Sequence, residues 1–140
     1  MVIDKFFLAA GLLAANISAT AQPASSLFGD GKNLRYVVKS STPGADSRQA
    51  EACQENILDE RRMAFFIRNA VVSTATNYSR ALVQGDCTGE GFVVAHERRA
   101  YRLTIDSATG WGAVESGPRT TYLYCARCEG LLEKDFNLGP

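Results

Sequence analysis

The clearest pattern of apolar and polar positions lies in the last third of the chain. FVVAHE (92–97), AYRLTID (100–106), WGAVES (111–116) and TTYLYC (120–125) are β-prone runs. The turn-forming stretch GDCTGEG precedes them, and DSATG and SGPR separate the last three. Turn signals recurring about every ten residues between such runs predict an antiparallel meander. LRYVVK (34–39) is short and β-branched and reads as an earlier strand.

The middle of the chain has a different period. SSTPGAD (40–46) is a loop ending in a helix start, where Asp46 and Gln49 have the spacing of a capping box. Ala50, Cys53 and Ile57 then recur at helical spacing and predict a helix from Ser47 to about Asp59. In the following run Ala64, Ile67 and Val71 extend that stripe, while Met63, Phe65 and Ile67 alternate as in a strand. The pattern alone leaves residues 60–78 open between helix and strand. Because no Gly or Pro interrupts Ser47 to Gln84, a helix through about Val72 is favoured, with a strand near Arg80 to Gln84. Helical runs followed by strands imply an α+β domain. One or two N-terminal helices would pack on an antiparallel β-meander of about four to five strands.

The amino end changes the setting. MVIDKFFLAAGLLAANISATAQ has the layout of a secretory signal: Lys5, an apolar run Phe6 to Ile17, then Ala19-Thr20-Ala21 before a cleavage point at Gln22. The run is shorter than the roughly 20 apolar residues that cross a bilayer, and no later segment is apolar enough to span one. The expectation is a signal peptide over 1–21 and one domain over 22–140, with a flexible Pro-, Ser- and Gly-rich lead at 22–33, free in the periplasm or secreted.

Charge excludes some partners. The chain has 15 acidic and 15 basic residues, and the signal would remove one of each. Neutrality argues against nucleic acid, which is bound through many Lys and Arg contacts to phosphate, and against strong attraction to anionic lipid.

Cys53, Cys87, Cys125 and Cys128 form an even set, which in an exported chain implies disulfides. Zinc is one rival, but four-thiolate sites usually need two close pairs and Cys53 is far from Cys87. Thiol-disulfide chemistry at Cys125-Ala126-Arg127-Cys128 is another, although such motifs open a helix that lowers a thiol pKa, and EGLLEKDFNLGP is too Gly-punctuated for a long one. Three pairings are possible. Loop entropy favours pairings that reach across the sequence, whereas proximity favours Cys125–Cys128, leaving Cys53–Cys87; the sequence leans to the second set and does not fix the connectivity.

No catalytic constellation stands out. His96 is the only histidine, there is no GxSxG elbow, and no phosphate-cradling loop, His-rich cluster or EF-hand occurs. Glu51, Glu55 and Asp59 would share a helix face, as a solvated stripe or a surface for a basic partner. Arg98, Arg99 and Arg102 would lie at a hairpin or along a sheet edge, guarding it or binding an anion. Tyr122 and Tyr124 share one strand face while Leu123 and Cys125 share the other. Either both sheet faces are covered, or Tyr122 and Tyr124 with Trp111, Arg98 and Arg102 form a contact patch of the residue types enriched at binding hot spots. The expected function is non-enzymatic binding of another extracytoplasmic protein, as an inhibitor or immunity-type protein, without cofactor or metal. A thiol-disulfide protein using Cys125 and Cys128 is the alternative, and a hydrolase acting on envelope material a lower one.

Overall fold

The computed structural model describes residues 20–42, 53–81 and 87–140. The signal-like run through Ala19, the Asp46/Gln49 cap, most of the helix expected from Ser47, and residues 82–84 of the strand expected near Arg80 lie outside the described residues.

Six strands form one sheet: β1 (Arg35–Thr42), β2 (Val71–Val72), β3 (Thr88–Val94), β4 (Ala100–Asp106), β5 (Trp111–Ser116) and β6 (Arg119–Tyr124). Their order is β1-β3-β4-β5-β6-β2, and every neighbouring pair is antiparallel. The expected meander is β3 to β6, but the strand count is six, above the four to five expected. The strand that escapes pattern reading is β2, only two residues long and paired with Tyr124 and Leu123 of β6.

Two helices accompany the sheet, α1 (Glu60–Asn69) and α2 (Ala75–Ala81). Asp59 caps α1: its carboxylate accepts the Arg62 amide at 2.8 Å, one of the amides a first turn leaves free. Residues 54–55 form a turn and 56–59 are irregular, so α1 starts at Glu60. Glu55 and Asp59 therefore do not share a helix face, which corrects the carboxylate stripe; Glu51 lies outside the described residues. The expected helix through Val72 stops at Asn69, whose side chain donates to the Phe65 carbonyl at 2.8 Å. The β-branched pair Val71-Val72 then serves the sheet, where such side chains pack well. Arg80 and Ala81 belong to α2 and not to a strand.

Met63, Phe66 and Ile67 of α1 are fully or almost fully buried against the inner face of the sheet, with Val93, Leu103, Ile105, Val114 and Leu123. Two strand glycines allow this approach. A Cβ at Gly91 would stand 2.6 Å from Met63 Cε, and one at Gly112 would stand 2.7 Å from Phe66 Cζ. GDCTGEG has the composition of a turn, yet Thr88 to Gly91 are the first half of β3. Its glycines mark close packing of another element on the strand, the other common reason for glycine there.

The segments at both ends of the described residues close the core. Residues 22–33, expected as a flexible lead, contain a 3-10 turn at Ala24–Phe28 that buries Ala24 and Phe28. The Ala24 amide donates to the Ala70 carbonyl at 2.9 Å, and the Phe28 ring meets Tyr101 edge-on at 5.0 Å. At the other end Leu131 and Leu132 are fully buried, and Phe136 packs edge-on against Phe65. Arg62, itself buried, holds this tail by donating to the carbonyls of Leu131 (3.0 Å) and Glu133 (3.3 Å) while pairing with Asp59. The charge is thereby hydrogen-bonded on several sides, as a buried cation requires. The disulfides are Cys53–Cys87 and Cys125–Cys128. Among the described residues no helix is long and apolar enough to cross a membrane.

Candidate functional site

The register sorts side chains onto two faces. Val37, Phe92, Arg102, Glu115 and Thr120 form one cross-strand row on the face away from α1. The next row carries Glu90, Thr104, Ala113 and Tyr122. Trp111 and Tyr124 face each other one step further. This outer face has a charged part and an aromatic part, side by side.

In the charged part Glu90 Oε1 accepts from Arg102 Nε at 2.7 Å and from Lys39 Nζ at 3.1 Å. Arg102 Nη1 reaches on to Glu115 Oε2 at 2.8 Å. Glu90 is the enclosed member, its side chain only 12% exposed against 42% for Arg102. The hydrogen bonds from Arg102 first, and then from Lys39, hold its carboxyl down at about 2. Those from Glu90 and Glu115 push the Arg102 guanidinium further up. The group is thus fixed and ionised across the neutral range.

In the aromatic part Tyr124 lies against Trp111 with ring centroids 4.9 Å apart. Tyr78 comes down from α2 to stack on Tyr122 at 4.4 Å and to meet Trp111 edge-on at 5.8 Å. Trp111 is buried, while the three tyrosines are half-buried. Among the described residues their hydroxyls make no hydrogen bond, in contrast to the pairing that buried Tyr hydroxyls usually find. Burial pushes the Tyr78 phenol up, assisted by the negative charge of Asp106 and then by Tyr122. The helix carrying Tyr78 is slight: it buries none of its seven residues. Thr74 caps it by accepting the Asn77 amide at 3.2 Å, and the Ser73 amide donates to the Tyr122 carbonyl at 2.8 Å.

Of the residues singled out from sequence, Trp111, Tyr122 and Tyr124 come together. Arg102 lies on the same face but is committed to Glu90 and Glu115. Arg98 does not join them; it is exposed in the β3–β4 connection with a φ of 62°. Both alternatives for this face hold in part, since α2 covers Trp111 and leaves the tyrosines half-open. Tyr78 escapes sequence reasoning, because ATNYSRA shows neither an apolar stripe nor alternation, and its contact depends on how the chain returns to the sheet.

The Cys125–Cys128 pair gives no accessible chemistry, and of the other pair only Cys87 is half-buried. Cys125 and Cys128 are fully buried and Cys53 is 3% exposed. Exchange requires an attacking thiolate to reach a sulfur, and turns, not a helix, follow Cys128. With the four thiols paired, a four-thiolate zinc site has no ligands. His96 is exposed beside the β3–β4 connection, remote in register from the aromatic part. No family model, curated protein or solved structure matches the chain.

Proposed function

We propose that this is an extracytoplasmic binding protein whose contact surface is the outer face of the sheet, acting as an inhibitor- or immunity-type protein on another exported protein. The observation that carries this reading is the set of half-buried tyrosines, Tyr78, Tyr122 and Tyr124, packed around Trp111. Their rings are held in place, so little conformational freedom is lost on contact, and their hydroxyls remain available to a partner. Beside them the Lys39–Glu90–Arg102–Glu115 chain offers a fixed pattern of charge, the kind of feature that sets register and rejects wrong partners. On its other side Val37, 44% exposed, continues the face with Phe92. The two disulfides are consistent with an oxidising compartment.

The test is capture from envelope and secreted fractions by immobilised protein, with bound partners identified by mass spectrometry. Tyr122→Ala and Tyr124→Ala should each weaken capture by roughly thirtyfold, as loss of a hot-spot aromatic does, while the fold persists. If both variants melt early and neither loses capture beyond its unfolded fraction, the tyrosines serve the fold and the assignment fails.

A further inference from the structure

On a part of the molecule that the outer-face reading does not use, we propose a second site, a groove that takes a ligand bearing two negatively charged groups. The β3–β4 connection and the β5–β6 turn lie at the same end of the meander, and the N-terminal 3-10 turn packs against that end through Phe28 and Tyr101. Two hollows open there. One, of about 380 Å³, is bordered by Asp30, His96, Arg99 and Tyr101. The other, of about 220 Å³, shares Arg99 and Tyr101 and continues to Ser116, Arg119 and Thr121. Because both are bordered by Arg99 and Tyr101, the two hollows lie side by side.

Its charge is one-sided. Among the described lining residues, two guanidiniums and an imidazole stand with a single carboxylate, that of Asp30, which accepts the Lys32 amide at 3.0 Å. Among the described residues neither Arg99 nor Arg119 is in an ion pair, whereas Arg62 and Arg102 both are. The guanidinium fork matches carboxylate and phosphate groups through two parallel hydrogen bonds. Arg99 stands just before β4 and Arg119 opens β6, with β5 between them. Two strand spacings across and two residues along put their backbones roughly 12 Å apart, so each arginine can take a separate anionic group of one ligand. Ser116, Thr121 and Tyr101 add neutral hydroxyl donors along the same floor. The loop that presents His96 and Arg99 is closed by a hydrogen bond from the Ala95 amide to the Arg99 carbonyl at 2.9 Å, with Arg98 in the left-handed region.

Carboxylate and phosphate would satisfy these forks alike, and two probes separate them. Calorimetric titration of the mature protein at low salt uses inorganic tripolyphosphate, a galacturonic acid trisaccharide, and the neutral galactose trisaccharide as control. At least one anionic probe should bind with one-to-one stoichiometry and the neutral sugar should not; the tighter anion identifies the chemistry the groove prefers. Arg99→Gln and Arg119→Gln should each weaken that binding about tenfold or more, the effect of one charge-assisted contact. Both arginines are exposed, so melting temperatures should not move. Arg127→Gln, outside the groove, should bind as the parent does. Failure of both anions to bind below 10 mM, persistence of binding in the Arg99→Gln/Arg119→Gln double variant, or an equal loss in Arg127→Gln would overturn the proposal. None of these outcomes bears on the outer face, whose tyrosines are intact in every variant.

Discussion

On the inner face of the sheet α1 comes so close that a Cβ at Gly91 or Gly112 would overlap Met63 or Phe66; on the outer face α2 rests on the strands through the ring of Tyr78 and buries nothing of its own. The inner face is filled by aliphatic and phenylalanine side chains that leave no room for a methyl group. The outer face is held by directed contacts, three ion pairs and four packed rings, in which half-exposed groups surround the enclosed Glu90 and Trp111. Close packing makes a surface intolerant of change, whereas contacts of the second kind can be altered one at a time. Stability therefore concentrates on one side of the sheet, and the other is the proposed contact surface.

The largest expected effects lie on the inner side. Phe66→Ala removes a fully buried ring under Gly112 and should destabilise by roughly 3–5 kcal/mol, read from the urea midpoint. A loss below about 1 kcal/mol would show that the inner face does not carry the fold. Next come the disulfides, both of which secure segments on the inner side. Replacing Cys53 and Cys87, 34 residues apart, by Ser should cost roughly 4 kcal/mol, and replacing Cys125 and Cys128, three apart, roughly 2. Equal losses would mean that the short loop contributes chiefly by packing its buried sulfurs.

How far the sequence announces this division can be judged from particular residues. Period-two alternation suffices to put Trp111, Tyr122 and Tyr124 on one face, because β4 to β6 are joined by tight turns that fix their register. The same logic fails at Gly89 and Gly91, where glycine is both the usual sign of a turn and the means by which Met63 and Leu132 reach the strand. It fails for Arg98, close to Arg102 in sequence but separated from the sheet face by the turn that carries it. Phe28 and Tyr78 depend on segments that reach the sheet from outside the meander, and local pattern contains nothing about such contacts. Spacing leans to the disulfide pairing found without fixing it among three, and the burial of Cys125 and Cys128 is not announced at all.

On the outer face the effects should be smaller, and that of Glu90 should depend on pH. Its carboxyl titrates at about 2 in the folded protein, below its ordinary 4.5. A depressed carboxylate adds stability that is fully present above its unfolded value and is lost as pH falls toward the folded one. Arg102 is partly exposed, and solvent screens the pair, so Glu90→Gln should cost about 1 kcal/mol at pH 7. Melting curves of parent and variant should converge between about pH 4.5 and 2. Parallel curves over that range would place the ion pairs outside the stability of this face.

The smallest stability effect discriminates best between a face that folds the protein and one that binds. Removing only the hydroxyls, as Tyr122→Phe and Tyr124→Phe, leaves the stack on Trp111 and Tyr78 in place. Since those hydroxyls make no hydrogen bond among the described residues, stability should stay within about 0.5 kcal/mol of the parent. A bound partner that uses them would, however, be left with unmet donors or acceptors, and each such loss weakens association by roughly five- to tenfold. The phenylalanine variants should therefore melt with the parent and capture less of the partner. If capture is unchanged while the alanine variants still lose it, the rings bind through apolar area and the hydroxyls are bystanders. If Phe and Ala variants alike capture as the parent does, the outer face is a covered surface like the inner one, and the contrast between them is one of packing alone.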